Sequence, residues 1–105
     1  MRIDLDAAFA RIRDHWSPVV LADLNGQQVK AAKFLGEFPW HQHTHEDELF
    51  LVHRGRFRME FRDRVVELAA GQFLVVPRGT EHRPVAEEEA EVLLFEPATT
   101  VKLGD

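Results

Sequence analysis

The sequence predicts an all-β fold, a closed barrel or a sandwich, with one short α-helix at its start. Two observations support this prediction. Apolar residues follow a helical period only as far as Pro18, and beyond it the chain consists of short runs rich in Val, Leu and Phe, divided by turn signals. Six or more strands spaced this closely favour a barrel or sandwich over any α/β fold. The 105 residues provide room for one domain, and 45% hydrophobic residues provide its core.

The first predicted element is a helix from Asp4 to Trp16. Its apolar residues have the spacing of one helical face and are Leu5, Ala8, Phe9, Ile12 and Trp16. Asp4 is a suitable N-cap, and Ser17-Pro18 ends the helix. We expect this helix to pack on the barrel without a chemical role. The chain then divides into an N-terminal helical segment (1–17), the barrel (18–97) and a tail (98–105).

The strands begin with a hairpin through Asn25-Gly26, because both central positions of a type I′ turn require positive φ. The predicted strands are VVLADL, QQVKAAKFL, ELFLVH, FRMEF, VVEL, QFLVVP and EVLLFEP. The strand FRMEF alternates apolar and polar residues, so one of its faces is buried. The strand ELFLVH is apolar on both faces, so its outer face needs cover from the helix or from another subunit. We therefore predict a homodimer.

The charge of the chain excludes several partners. Thirteen basic residues against eighteen acidic ones give a net charge of -5, so neither nucleic acid nor a membrane is expected as a partner. The start of the chain lacks a basic, then apolar, secretion signal, and no run approaches the ~18 apolar residues of a membrane span. We expect a cytoplasmic protein. Because cysteine is absent, any metal must be held by His and carboxylate ligands.

The most informative segment is 40–55, which contains four of the six histidines. His41, His43 and His45 alternate, and an acidic triplet ending at Glu48 follows. Residues two apart on a strand point to the same side, so His41 and His43 can converge on one point inside a barrel. A solvated histidine-rich loop is the alternative. The pattern favours a metal site.

A second segment, GQFLVVPRGTEH, has Gly71, Pro77, Gly79 and His82 at fixed offsets. A strand ends at Pro77, a tight turn passes through Gly79, and His82 opens the next segment. Considered alone, His82 could be a surface residue.

Together the two segments resemble the paired motifs of the cupin superfamily. The first motif, G(x)5HxH(x)3-4E(x)6G, is matched by His41, His43, Glu48 and Gly55, with Gly36 displaced by one position. The second, G(x)5PxG(x)2H(x)3N, is matched by Gly71, Pro77, Gly79 and His82. Its final asparagine is replaced by Ala86. These departures affect loop geometry and leave the ligand positions intact.

The resemblance covers nearly the whole chain and extends to small bacterial cupins often labelled as similar to mannose-6-phosphate isomerase. It implies a double-stranded β-helix, also called a jelly-roll barrel, that binds one divalent metal ion through His41, His43, Glu48 and His82. Three imidazoles and a carboxylate suit Mn, Fe, Ni, Co or Zn and leave two open positions in an octahedral shell. The barrel interior would then hold a small-molecule ligand.

Two functions follow from this resemblance. The first is a metal-dependent isomerase, lyase or dioxygenase acting on a small polar molecule, with Glu48 as the candidate catalytic base. The second is a non-catalytic module that binds a sugar-like ligand through the metal.

The remaining charged residues have simpler roles. His45 falls where the strand gives way to a loop, so we expect a histidine at the rim of the site or beside a ligand. His15 and His53 are expected to be structural, and Asp47 to form a salt bridge. The alternating arginines, Arg54, Arg56, Arg58, Arg62 and Arg64, are expected on a solvated face. Residues 87–89, all glutamate, are expected to form an exposed turn.

Overall fold

Seven antiparallel strands follow one helix in this computed structural model, which describes residues 1–105. The elements are α1 (Leu5–Ala10), β1 (Val19–Leu24), β2 (Gln27–Glu37), β3 (Glu48–Arg54), β4 (Arg56–Phe61), β5 (Val65–Ala69), β6 (Phe73–Val76) and β7 (His82–Pro97). Each predicted strand corresponds to one of these, so the all-β prediction is confirmed. The structure contains no helix with the length and apolar character needed to cross a membrane.

The long strand β7 organises the jelly-roll barrel. Strand β2 pairs with β7 on one side, from Gln27 opposite Pro97 to Glu37 opposite Val85. On the other side, the first part of β7 pairs with β4 and the second part pairs with β3. The order β1-β2-β7-β3-β6 forms one side of the barrel, and β4 with β5 continues from β7.

A bulge in β7 allows the sheet to bend between its two partners. Gly36 of β2 pairs with Ala86, and Phe34 pairs with Ala90, so three residues of β7 lie opposite the single residue Leu35 of β2. Extra residues of this kind bend a strand locally. The three are the glutamates 87–89, which are exposed. The prediction of a turn at this place is wrong, because the residues bulge within a continuous strand.

The helix is shorter than predicted. It ends at Ala10 with Arg11 as C-cap, while Asp4 is the N-cap and accepts a hydrogen bond from the Ala7 amide at 3.2 Å. The predicted end at Trp16 is wrong because Ile12 and Trp16 pack in different places. Ile12 stays in the cluster under the helix. Trp16 has φ of 59° and stacks on Phe34, with ring centroids 4.5 Å apart.

The two faces of the sheet have separate apolar clusters. The inner cluster of thirteen buried residues fills the barrel and includes Phe34, Phe57, Met59 and Val92. The outer cluster lies under α1 and has Phe9 at its centre. The helix therefore explains part of the two-sided apolar pattern of β3, because it covers Leu51 on the outer face.

Part of the outer face remains uncovered. Leu49 of β3 lies beside Phe95 of β7 and Val75 of β6. Phe73 and Val75 are 62% and 48% exposed. This outer stripe, made of Leu49, Phe73, Val75 and Phe95, is an apolar surface that α1 does not reach.

The hairpin between β1 and β2 turns at Asn25 and Gly26, whose φ angles are 52° and 81°. Positive φ at both positions is what a type I′ turn requires, so this prediction is confirmed.

Candidate metal centre

Backbone hydrogen bonds join the two histidine-bearing segments. His41 and His82 exchange bonds of 3.0 and 2.9 Å, and the Phe38 amide donates to the Pro84 carbonyl at 3.1 Å. The Gly79 amide donates to the carbonyl of His43 at 2.7 Å. The sequence predicts that His41 and His43 converge because they lie on one strand. The prediction of a strand is wrong. Residues 38–47 form a loop, with one isolated bridge at His41, and the loop is positioned by its pairing with 79–84.

Four side chains meet at the end of the barrel where β3 begins. One ligand-type atom from each of His41, His43, Glu48 and His82 lies within 4.8 Å of the others. The Glu48 Oε1 atom is 3.3 Å from His43 Nε2 and 3.7 Å from His82 Nε2. Metal–ligand bonds of about 2.1 Å place the ligand atoms of one ion roughly 3 to 4.2 Å apart. The separations therefore suit a single ion.

Hydrogen bonds fix the ring orientation of two of these histidines. Nδ1 of His41 donates to the Pro39 carbonyl at 2.9 Å, and Nδ1 of His82 donates to the Thr80 carbonyl at 2.8 Å. A carbonyl only accepts, so both rings carry their proton on Nδ1. Their Nε2 lone pairs are free to bind a metal.

The burial of the cluster is a second observation that fits a metal ion. His43 is 3%, Glu48 6% and His82 0% exposed. Among buried side-chain atoms without a hydrogen-bond partner are Nε2 of His43, Oε1 of Glu48 and Nε2 of His82. Buried polar atoms left unsatisfied cost about 1–3 kcal/mol each. Three such atoms turned toward one point are explained by a ligand that binds all of them.

The electrostatics of the cluster favour a cation. Burial raises the pKa of Glu48, but its contacts with His43 and His82 outweigh burial, so the pKa lies well below its usual range. Glu48 is therefore ionised. Burial lowers the pKa of His41, which keeps that ring neutral. Contact with Glu48 raises the pKa of His43. A metal ion would replace the proton in that contact.

A pocket of about 250 Å³ opens beside the cluster and reaches His41 and Glu48. Its wall is mainly aromatic and apolar and includes Trp16, Phe34, Phe38, Phe50 and Leu94. Its volume is slightly below the ~300 to 1,000 Å³ that is typical of small-molecule sites, so it suits a small ligand.

Sequence reasoning missed two polar residues in this pocket. Glu96 is 4% exposed, and its carboxyl lies 2.9 Å from Nζ of Lys30. Burial, together with a hydrogen bond to Glu48, raises the pKa of Glu96 to about 8. A signal was present in the sequence, because Glu96 continues the inward series of Val92 and Leu94 at intervals of two.

The other histidines lie outside the cluster. His45 is exposed and is not among the converging groups, as expected for a histidine at the rim. His53 bonds Asp6 at 2.8 Å and stacks on Phe9, and His15 bonds Glu89 at 2.7 Å. These contacts confirm structural roles for His15 and His53.

The predicted salt bridge of Asp47 and ion pairs of the alternating arginines lie on the surface. Asp47 bonds both the backbone and the side chain of Arg78, at 2.8 and 3.2 Å, so the salt-bridge prediction is confirmed. Arg54 pairs with Asp6. Arg58 lies on the solvated face and bonds Glu60 at 2.8 Å. Four of the five arginines therefore form ion pairs on the surface rather than an anion site: Arg54, Arg58, Arg62 and Arg64.

Comparison with known families agrees with the fold and the motifs. Residues 35–96 match the family model described as a cupin domain. The chain is a cupin. The matched range includes the whole of strands β3 to β6 and all four residues of the cluster, from His41 to His82.

Two solved structures share this cupin fold over most of the chain. One is a cupin-2 domain containing protein from Shewanella frigidimarina NCIMB 400, with 42% identity, a TM-score of 0.89, and coverage of 90% of this chain and 93% of that one. The other is protein NMB1881 from Neisseria meningitidis, with 28% identity, a TM-score of 0.86, and coverage of 93% and 100%.

A curated relative is similar over a shorter range. The uncharacterized protein YdbB of Bacillus subtilis (strain 168) is 39% identical over 64 residues, which are 60% of this chain. The matched segment spans 57% of the length of YdbB.

Proposed function

We propose that this cupin binds one divalent metal ion through His41, His43, Glu48 and His82 and uses it to hold a small polar molecule in the adjoining pocket. The observation that supports the proposal most strongly is the set of buried, unpartnered atoms turned toward one point. A ligand set of three imidazoles and one carboxylate suits Mn, Fe, Ni, Co or Zn. Such an ion would polarise a carbonyl or hydroxyl, or lower the pKa of bound water.

We favour a metal-dependent enzyme, an isomerase, lyase or dioxygenase, over a structural metal site. The apolar core of thirteen residues supplies stability by itself, so a structural ion is not needed. Glu48 is the candidate catalytic base because it is buried, ionised and at the pocket wall. Glu96 can hold a proton beside Glu48, since its raised pKa of about 8 favours the neutral acid.

A non-catalytic module that binds a sugar-like ligand is the second candidate. The polar groups of Lys30, Glu96 and Thr100 on the pocket wall favour it, because they could bind hydroxyls without any reaction. The apolar wall formed by the pocket aromatics is compatible with either function.

Elemental analysis of the purified protein is the first test, and we expect one transition-metal ion or zinc ion per chain. A screen for O₂ uptake and for isomer formation with candidate small molecules then separates the two functions. Turnover that requires the metal supports the enzyme, whereas saturable ligand binding without turnover supports the binding module. Protein that neither contains nor takes up a metal ion would contradict both.

We also propose that the protein is a homodimer that buries the outer stripe of Leu49, Phe73, Val75 and Phe95. A second copy is the proposed occupant because the stripe continues from β3 to the edge strand β6 and ends there. Sedimentation should show a dimer at micromolar concentration, and Val75→Asp should shift it to monomer. A wild-type monomer at that concentration would contradict the proposal.

A further inference from the structure

His43 differs from the other two clustered histidines in the surroundings of its ring. Nδ1 of His41 and of His82 each donate to a backbone carbonyl. Neither ring nitrogen of His43 has a hydrogen-bond partner, although the side chain is only 2% exposed. Its Nε2 atom lies 3.3 Å from Glu48 Oε1. The opposite edge of the ring therefore needs another group to orient it.

Two carboxylates lie near this ring. A ring nitrogen of His43 and carboxylate oxygens of Glu46 and Asp105 lie within 4.8 Å of one another. Because Nε2 faces Glu48, these carboxylates belong to the Nδ1 edge. A metal-bound histidine usually donates its other N–H to a carboxylate or carbonyl, which fixes the tautomer and raises the basicity of the ligand nitrogen.

The segment 98–105 is attached to the loop on both sides of His43. The amide of Asp105 donates to the Gln42 carbonyl at 3.0 Å, and the Thr44 amide donates to Asp105 Oδ1 at 2.7 Å. The Thr99 hydroxyl donates to the Glu46 carboxylate at 2.9 Å. These bonds hold both carboxylates in place beside the ring.

Close packing at Gly104 strengthens this attachment. Its φ is 85°, and a Cβ there would lie 2.3 Å from the Gln42 carbonyl oxygen. Only glycine allows the segment to approach the loop this closely. The position of Asp105 is therefore built into the fold.

We propose that Asp105, assisted by Glu46, is a positioning residue: when a metal ion binds Nε2 of His43, the carboxylate accepts a hydrogen bond from the Nδ1–H group of that ring and so orients Nε2 toward the ion. The proposal rests on the proposed metal site. It gives the segment 98–105 a role in the chemistry of the site. Asp105 itself does not contact the ion.

A second metal ion bound by His43, Glu46 and Asp105 is the alternative use of the same groups. Two observations oppose it. Asp105 Oδ1 and a Glu46 oxygen already accept hydrogen bonds. In addition, His43 could ligate two ions only as an imidazolate, with neither ring nitrogen protonated. Histidine in proteins is ordinarily neutral or cationic and so keeps at least one N–H.

The test is the affinity of metal-free protein for Co²⁺, measured by competition with a chromophoric chelator, in Asp105→Asn. Asparagine retains an oxygen that accepts from Thr44 but replaces the other carboxylate oxygen with an N–H donor. We expect affinity to fall about tenfold, in the range of ~10 to 100-fold known for such partners. The melting temperature of the metal-free protein should stay at its wild-type value.

Asp63→Asn is the matched control, because Asp63 bonds only the neighbouring Arg64 and the variant removes the same charge. Its affinity for Co²⁺ should be unchanged. Equal affinity in the two variants would overturn the positioning role. A lower melting temperature of metal-free Asp105→Asn would also overturn it, since the effect would then be structural.

Stoichiometry and a third variant separate the remaining outcomes. Wild-type protein should bind one Co²⁺ per chain. If the wild-type protein binds two Co²⁺ ions and Asp105→Asn binds one, a second metal site replaces the positioning role. His43→Ala should lose Co²⁺ more completely than Asp105→Asn. If His43→Ala keeps wild-type affinity, the proposed metal site itself fails, and the positioning role fails with it.

Discussion

The two ends of the barrel interior are made by the same strands but differ in chemistry. At one end β3 and β7 contribute Glu48 and Glu96, beside the three histidines. Val52 lies four residues from Glu48 on β3, and Val92 lies four residues from Glu96 on β7. Both valines point inward and pack in the inner cluster. The inward period of two is unbroken, so the backbone does not distinguish the ends. Only the side chains do.

This difference indicates how stability and function are divided. Apolar burial contributes roughly 25 cal/mol per Å², so the apolar end contributes most of the free energy of folding. The polar end has buried atoms without partners, which cost about 1–3 kcal/mol each. The apolar end offsets that cost. Substitutions at the two ends should therefore have separable effects on folding and on metal binding.

The largest expected effect is on folding, from Phe57→Ala at the apolar end. Phe57 is 3% exposed, and its ring lies 5.2 Å from that of Phe34. The variant should lose about 3–5 kcal/mol in the free energy of unfolding, measured by urea denaturation. Val65→Ala, at a position 55% exposed, is the control and should change it by less than about 0.5 kcal/mol. Folded Phe57→Ala should bind metal with wild-type affinity. A lower metal affinity in the folded variant would show that the two ends of the barrel are not independent.

A smaller effect on folding is expected from Gly55→Ala, at the turn between β3 and β4. A Cβ there would lie 3.0 Å from the Glu89 carbonyl oxygen, and φ is 83°. The expected loss is about 1–3 kcal/mol, from backbone strain and crowding together. Gly71 has a similar φ of 86°, but a Cβ there would meet no other atom within 4 Å. The loss in Gly71→Ala therefore measures the backbone strain without the crowding. Equal losses in the two variants would show that the contact with β7 is unimportant.

The smallest expected effect is at the polar end, from His45→Ala. His45 is exposed and lies outside the four converging groups. Metal occupancy, measured by elemental analysis, should stay near the wild-type value. Occupancy as low as that of His43→Ala would move the ligand pair to His43 and His45.

Much of the fold could be predicted from the sequence, because the strands and the first hairpin depend on residues that are close together in the chain. Apolar alternation located the strands, and Asn25-Gly26 located a hairpin. The helix was predicted too long because Trp16, at helical spacing from Ile12, packs inside the barrel mouth instead. The bulge at 87–89 was predicted as a turn because exposed acidic residues do not distinguish the two.

The candidate site was predicted less completely than the fold. His41, His43, Glu48 and His82 could be identified because motif spacing is visible in one dimension. Lys30 and Glu96 belong to strands that become neighbours only on folding, so their pairing left no local pattern. The contact of Asp105 with the loop has the same origin, at a separation of 61 residues from Thr44.

The central claim is that a folded barrel brings four ligands to one metal ion, and metal content and circular dichroism on His82→Ala test it most directly. His82 is fully buried and lies on β7, apart from the loop that carries His41 and His43. The variant should keep the wild-type β spectrum, because folding does not depend on the ion. Its metal affinity should fall by at least an order of magnitude, since losing a ligand costs no less than the ~10 to 100-fold cost of losing a ligand's hydrogen-bond partner. A folded variant that binds metal with wild-type affinity would contradict the claim.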